Sequence, residues 1–132
     1  MSTWTERELE SIGDAQELEL ASRRADGSLR SFTTMWVVRV GGDVYVRSAG
    51  GADRPWYQHA RNSGAGRVRA GNVDAEVEFA DAASETQLEI DAQYHAKYDR
   101  YGPNIVGHVT GPASHPVTIH LIKVNQRGES NE

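Results

Sequence analysis

Residues 33–57 read TTMWVVRVGGDVYVRSAGGADRPWY and set the pattern for the rest of the chain. Valines recur in two short runs, and this β-branched content predicts two strands. The Gly41-Gly42 pair between the runs supplies the positive φ of a tight hairpin turn. A second pair, Gly50-Gly51, opens a loop that ends at Pro55, where a missing N–H costs nothing in the first turn of a helix. The segment therefore predicts strand, turn, strand, glycine-rich loop and helix.

The end of the second predicted strand carries the polar residues Arg47 and Ser48, directly before the glycine loop. A helix N-terminus follows, and its free N–H groups point outward. This arrangement predicts a site for a small anion. The alternative is an ordinary strand–loop–helix junction that binds nothing, and the pattern alone leaves both open.

The length of 132 residues predicts a single domain over residues 1–132, with a polar, disordered tail at 125–132. The net charge of −5 argues against a nucleic-acid partner, because phosphate contacts need a basic surface. Arginines nevertheless cluster within residues 23–69, which allows a local positive patch. We expect a small-molecule ligand.

The chain has no cysteine, which excludes disulfides, thiolate metal sites and cysteine nucleophiles. It shows neither a signal-peptide pattern nor a hydrophobic run long enough to span a membrane, so a cytoplasmic location without membrane contact is expected. The five histidines lack the helical spacing of a zinc site, and no metal is predicted. Ser22 and Ser48 lack a nucleophile-elbow context.

Periodicity along the chain predicts a helix from Thr3, with Thr3 and Glu6 as its capping box, to Gly13. Period-two patterns and turn signals predict six strands, at 17–22, 28–40, 43–48, 67–70, 73–79 and 117–124. Further helices are predicted from 53 or 54 to 62, at 84–100 and, as a short turn, at 105–109. The predicted fold is mainly β with helices: a six-stranded antiparallel split β-barrel, since closure removes exposed strand edges.

Two side-chain patterns have alternative interpretations. Tyr94, Tyr98 and Tyr101 share one helical stripe, which indicates packing on the barrel or a dimer partner, or else contact with a ligand. Asp74, Glu76 and Glu78 alternate with apolar residues and predict an acidic, solvated outer face.

Several stretches of the sequence resemble a known family. The strand and loop VYVRSAGG at 44–51, followed by RPWY at 54–57, resembles the deazaflavin-dependent nitroreductases, within the pyridoxamine 5'-phosphate oxidase-like, FMN-binding split barrels. Similarity is greater to a small subfamily of unknown function in that group. It rests on LELASRRADG, WVVRV, RVRAG and YHAKYDRYG and extends over residues 8–122.

The resemblance implies a homodimer with two equivalent clefts at its interface, each holding FMN or a deazaflavin. It places basic and hydroxyl residues at the phosphate end and others along the ring and ribityl part. The implied phosphate residues are Arg30, Thr33, Thr34, Arg47, Ser48 and Arg54. The implied ring and ribityl residues are Trp36, Val37 and Val38, with Trp56 at the helix start. Arginine suits a phosphate because its contact is charged and bidentate.

The predicted function is therefore flavin or deazaflavin binding, with an oxidoreductase activity on a small molecule carried by the cofactor. The alternative is a non-catalytic small-ligand-binding domain that keeps the barrel without the redox cofactor. No catalytic side chain is assigned from the sequence.

Overall fold

A computed structural model describes residues 4–124, so the predicted tail at 125–132 lies outside the described residues. The strands in that part of the chain are β1 (Leu18–Ser22), β2 (Thr33–Met35), β3 (Val38–Val40), β4 (Asp43–Arg47), β5 (Ala65–Ala70), β6 (Val73–Asp81) and β7 (Thr118–Lys123). The α-helices there are α1 (Glu6–Asp14), α2 (Pro55–Ser63), α3 (Gln87–Tyr98) and α4 (Pro103–Val106). All strand pairs are antiparallel, in the order β2-β1-β5-β6-β7-β4-β3.

The two edge strands of this sheet, β2 and β3, are separated in sequence by Trp36 and Val37 alone. A chain of that length reaches about 10 Å at most. The two edges must therefore lie close together, and the sheet curls into a split barrel. The split-barrel prediction is confirmed, with seven strands rather than six.

The prediction of a single strand over residues 28–40 is wrong. This part of the chain forms two short strands, β2 and β3, which accounts for the seventh strand. The chain pairs with β1 as β2, leaves that edge at Trp36, and pairs with β4 as β3. At the break, the N–H of Val37 donates to Tyr98 Oη (3.1 Å) and its carbonyl accepts from Lys97 Nζ (2.8 Å). Side chains from α3 thus satisfy the backbone groups that a neighbouring strand would otherwise bind.

The inside of the barrel holds the main hydrophobic core, which includes Val44 and Val46 from β4. Helix α1 packs into this core through Leu9 and Ile12. Its capping box is formed by Thr5 and Glu8, and Thr3 of the predicted box lies outside the described residues. A second core lies between the β3–β4 hairpin and α3, where Val38, Tyr45, Ile90, Tyr94 and Tyr98 are buried.

The predicted acidic face of β6 is an array of ion pairs with arginines. Arg67 on β5 lies directly opposite Glu76 and bonds to it at 2.5 Å, and it also reaches Asp74 at 2.6 Å. Arg23 approaches the same Glu76 carboxylate at 2.6 Å. Because opposite charges on paired strands attract, the prediction of a merely solvated face is wrong for Asp74 and Glu76.

Within residues 4–124, each helix is too short or too polar to cross a lipid bilayer.

Candidate functional site

A cleft of about 410 Å³ opens where the barrel is split. One wall comes from the end of β2 and the residue after it, and the opposite wall comes from the β4–α2 loop and the start of α2. The turns after α3 form a third side. The apolar lining of the cleft includes Met35, Trp36, Trp56, Ile105 and Val109. The volume lies within the range of small-molecule sites, which are mostly apolar with a few polar groups.

The indole of Trp36 is held against α3 by stacking. Its ring lies 4.0 Å from that of Tyr98 with the planes 6° apart, and Tyr101 contacts it at 5.5 Å. Tyr98 Oη donates to the carbonyl of Gln16 (2.9 Å), and burial raises its pKa to about 12. The packing interpretation therefore holds for Tyr98 and for the fully buried Tyr94, whereas Tyr101 remains partly exposed. The cleft thus receives Trp36 in a fixed orientation.

The side chain of Arg54 lies across the backbone of Gly50 at the rim of the cleft. A Cβ atom at Gly50 would lie 1.7 Å from Arg54 Nε. The guanidinium can therefore occupy this position only because residue 50 has no side chain. Gly51 adopts a φ of 88°, and its N–H donates to the carbonyl of Ser48 (3.0 Å). The two glycines therefore have different purposes: Gly51 turns the backbone, and Gly50 makes room for Arg54.

Arg47 lies beneath α3, and all five of its guanidinium N–H groups have protein partners. Nε donates to Thr118 Oγ1, and the terminal nitrogens donate to the Asp91 carboxylate, to the Val109 carbonyl and to the carbonyl and side-chain oxygens of Gln87. The side chain is fully buried. Arg47 contributes to the lining of the cleft, but it has no donor left for a phosphate.

Asp91 completes this buried network. Burial alone would raise the pKa of its carboxyl group, but hydrogen bonds from Arg47 and His115 outweigh burial and hold the pKa below its ordinary value. His115 Nε2 lies 3.1 Å from Asp91 Oδ2, and the N–H of Gly111 donates to Oδ1 (3.3 Å). The charge pair is therefore supported on each side by further polar contacts.

A basic hollow adjoins the cleft, and a second basic hollow adjoins the first. The inner hollow, of about 260 Å³, shares Trp56 with the cleft and is also lined by Arg24, Arg30, Thr33 and His59. The outer hollow, of about 510 Å³, shares Arg24, Arg30 and His59 with the inner one. Trp56 and the shared basic residues thus link an apolar cleft to a basic surface.

Four of the ten cofactor residues inferred from the sequence line the cleft and take no part in the buried Arg47–Asp91 network: Thr34, Trp36, Arg54 and Trp56. Arg30 and Thr33 line the inner hollow instead. The side chains of Val37 and of the neighbouring Val38 are buried in the two cores. Ser48 is buried and donates to the carbonyl of Gly51 (2.6 Å), and it lines a separate depression.

Sequence reasoning missed several lining residues, namely Glu17, Met35, Arg24, Ile105 and His108. Ile105 lay in a predicted helical turn, but periodicity could not show that this turn lies over the cleft. For Arg24, the sequence signal was the Asp26-Gly27 hairpin turn, which places the arginine beside the returning strand. Across residues 4–124, no three histidine or carboxylate side chains gather into a candidate metal site.

The curled antiparallel sheet, its split and the adjoining cleft define a split β-barrel of the pyridoxamine 5'-phosphate oxidase-like type. Residues 8–121 match the family described as uncharacterized protein conserved in bacteria (DUF2255), and the chain belongs to that family. The family resemblance drawn from the sequence is therefore confirmed. No curated protein matches the sequence.

Solved structures of the same fold carry varied descriptions. One is a protein from Listeria innocua provisionally assigned as a pyridoxamine 5'-phosphate oxidase, with a TM-score of 0.56, 15% identity and coverage of 88% of each chain. An FAD-binding protein from Mesorhizobium loti has a TM-score of 0.56 and 13% identity, over 92% of this chain and 91% of that one. An F420 reductase has a TM-score of 0.52 and 16% identity, over 86% and 89%. At these identities the likeness shows the fold.

Proposed function

We propose that this protein binds a flavin-type cofactor, FMN or a deazaflavin, in the cleft at the split of the barrel. The observation that carries the proposal is the arrangement of the surface: a cleft lined by Trp36 and Trp56 adjoins, through Trp56, a hollow lined by Arg24 and Arg30. A planar aromatic ring suits the two indoles, and a phosphate suits the guanidinium groups. Neighbours of the same fold that are described as FAD-binding and as an F420 reductase support this ligand class.

Some of the residues predicted to bind the cofactor phosphate are available to it, and others are not. Arg30 carries a buried Nε that has no hydrogen-bond partner among the described residues, and Arg54 is exposed at the rim of the cleft. Thr33 adds a hydroxyl to the inner hollow. We therefore assign the phosphate to Arg30, Thr33 and Arg54, while Arg47 holds α3 against the barrel.

The proposed activity is an oxidoreduction of a small molecule, for which the bound cofactor supplies the hydride chemistry. The chain's own residues would bind and orient the ring, and the apolar lining of the cleft would exclude water from it. One observation favours the alternative, a non-catalytic ligand-binding domain. The guanidinium N–H groups of Arg47 all donate to protein oxygens, so Arg47 is not available as the phosphate ligand that was predicted. Hydride transfer by the loaded protein distinguishes the two functions.

We further propose that the protein is a homodimer in which a second copy covers the cleft. Ile105 lines the cleft and is 52% exposed, and Tyr101, which contacts Trp36, is 42% exposed. Covering these apolar side chains would remove them from water and close the site.

The decisive experiment is titration of the purified protein with FMN, FAD and a deazaflavin, followed by absorbance and fluorescence. We expect saturable binding, and Arg30→Ala and Arg54→Ala should each weaken it about tenfold, the size of one charge-assisted hydrogen bond. Arg61→Ala is the matched control, because Arg61 pairs with Asp81 (2.9 Å) and does not line the cleft or the inner hollow. The absence of binding for all three cofactors would refute the proposal.

A further inference from the structure

The depression beside Ser48 is a further concave site, separate from the two basic hollows. It has a volume of about 280 Å³ and lies between the β4–α2 loop and the turns that follow α4. Ala49, Gly50 and His108 line both the depression and the cleft, so the two adjoin. A molecule in the depression would therefore lie directly beside the occupant of the cleft.

The lining of the depression is small and uncharged. Among the described residues it includes three glycines and two alanines, and no Asp, Glu, Lys or Arg side chain lines it. Arg54, which lies across Gly50, lines the cleft but not the depression. A charged ligand would lose hydration in the depression without gaining an opposite charge, which costs free energy. The lining therefore favours a small, neutral molecule.

The two serines of the depression already use their hydroxyl protons within the protein. Ser48 Oγ donates to the carbonyl of Gly51 (2.6 Å). Ser114 Oγ lies 3.3 Å from the carbonyl oxygen of His108 and 3.2 Å from that of Thr110. Because a hydroxyl group has a single proton to donate, neither serine keeps a donor for a ligand.

His108 differs from the serines because its ring is unused while its backbone is held. The N–H of His108 donates to the carbonyl of Ile105 (3.1 Å), and its own carbonyl accepts from Ser114 Oγ. The carbonyl of the next residue, Val109, accepts from Arg47 (2.7 Å). Within residues 4–124 the imidazole makes no hydrogen bond or ion pair. Since an imidazole always carries at least one N–H, His108 offers a free donor at the border of the depression.

We infer that the depression binds a small, neutral molecule with a carbonyl oxygen, and that His108 donates a hydrogen bond to this oxygen. The inference goes beyond the proposed function, because the site is formed by protein residues alone and needs no cofactor in the cleft. When the cleft is occupied, the ligand of the depression lies beside the cofactor. Under the proposed function, this is where a second reactant would meet it.

The test is an NMR titration of the protein, without cofactor, with benzamide and with benzoate. The two probes have nearly the same shape, but only benzoate is charged. The imidazole signal of His108 is assigned by its loss in His108→Gln. We expect benzamide to shift this signal saturably and to bind more tightly than benzoate by a factor of about five or more.

Variants on the two sides of the depression locate the bound probe. Ala113→Leu should abolish benzamide binding, because the larger side chain fills the depression, and it should leave cofactor affinity unchanged, because Ala113 does not line the cleft. Ala96→Leu is the matched control, since Ala96 is exposed on α3 and lines neither site. His108→Ala should weaken benzamide binding about fivefold, the size of one hydrogen bond. His108→Gln should restore most of the affinity, because its amide can donate.

The outcomes separate this inference from the proposed function. The inference is overturned if benzamide leaves the His108 signal unmoved, if benzoate binds more tightly, or if a folded Ala113→Leu still binds benzamide. If Ala113→Leu does not fold, the two probes and the His108 variants decide, and equal losses in His108→Ala and His108→Gln count against the inference. If benzamide binds as expected and no cofactor binds, the proposed function fails and the inference stands.

Discussion

The guanidinium of Arg47 is paired with the carboxylate of Asp91 beneath helix α3, and every one of its N–H groups has a partner. Arg47 was inferred from the family resemblance as a phosphate ligand. Its contacts instead join β4 to α3, to the turn after α4 and to the start of β7. The pair thus fastens the outer helix layer to the barrel.

Removing Arg47 should destabilise the fold. Arg47→Met leaves the mostly buried Asp91 carboxylate without its guanidinium partner, with His115 and the Gly111 N–H as its remaining contacts, and the expected loss in the free energy of unfolding is about 3–5 kcal/mol. Arg61→Met, which breaks the exposed pair with Asp81, should cost less than about 1 kcal/mol. Combining Arg47→Met with Asp91→Leu should recover most of the loss, because the carboxylate that lost its guanidinium partner is then removed as well. Urea denaturation measures all three, and equal losses for Arg47→Met and Arg61→Met would contradict the prediction.

At the break between β2 and β3, the phenol of Tyr98 bonds to the backbone together with Lys97 Nζ. Tyr98→Phe removes the acceptor for the Val37 N–H and the donor to the Gln16 carbonyl, and both are backbone groups. We expect a loss of about 1–3 kcal/mol, the cost of leaving buried polar groups unsatisfied. Tyr101→Phe is the control, because the Tyr101 hydroxyl is exposed and contacts only side chains among its described partners. Equal stability of the two variants would show that Tyr98 Oη is dispensable.

Much of the fold could be predicted from the sequence, because its signals are local. The alternation of Val73, Ala75 and Val77 indicated β6, and the glycine pair at 41–42 indicated the β3–β4 turn. The break at Trp36–Val37 could not be predicted, because both residues favour strands and the groups that satisfy Val37 come from α3, about 60 residues later. The burial of Arg47 could not be predicted for the same reason, since its partner Asp91 lies 44 residues after it in the chain.

The stability of the protein should rise with pH through a contribution from Lys97. Burial lowers the pKa of Lys97 to about 8, from an ordinary value of 10.5. Above pH 8 the unfolded chain therefore holds a proton that the folded chain has released, and the free energy of unfolding increases with pH. Denaturation between pH 8 and 10 should show this slope in the native protein and a flatter one in Lys97→Met. Parallel slopes would exclude Lys97 as the source.

Gly50→Ala should weaken ligand binding without unfolding the protein. The atoms nearest to the new methyl group belong to the side chain of Arg54, which can swing away, so the guanidinium leaves the rim of the cleft. We expect cofactor affinity to fall about as far as in Arg54→Ala, and the unfolding midpoint to stay close to that of the native protein. Gly51→Ala should behave differently, because φ is 88° there and the substitution strains the backbone by about 1–2 kcal/mol.

Ile105→Asp should test whether a second copy covers the cleft. A carboxylate at this exposed position would have to be desolvated in the interface, so we expect the protein to dissociate into monomers in sedimentation experiments. Leu88→Asp is the matched control: Leu88 is 74% exposed on α3, and it does not line the cleft. If the native protein sediments as a monomer, the dimer proposal falls. If Ile105→Asp stays dimeric while cofactor affinity drops, Ile105 contacts the ligand and the interface lies elsewhere.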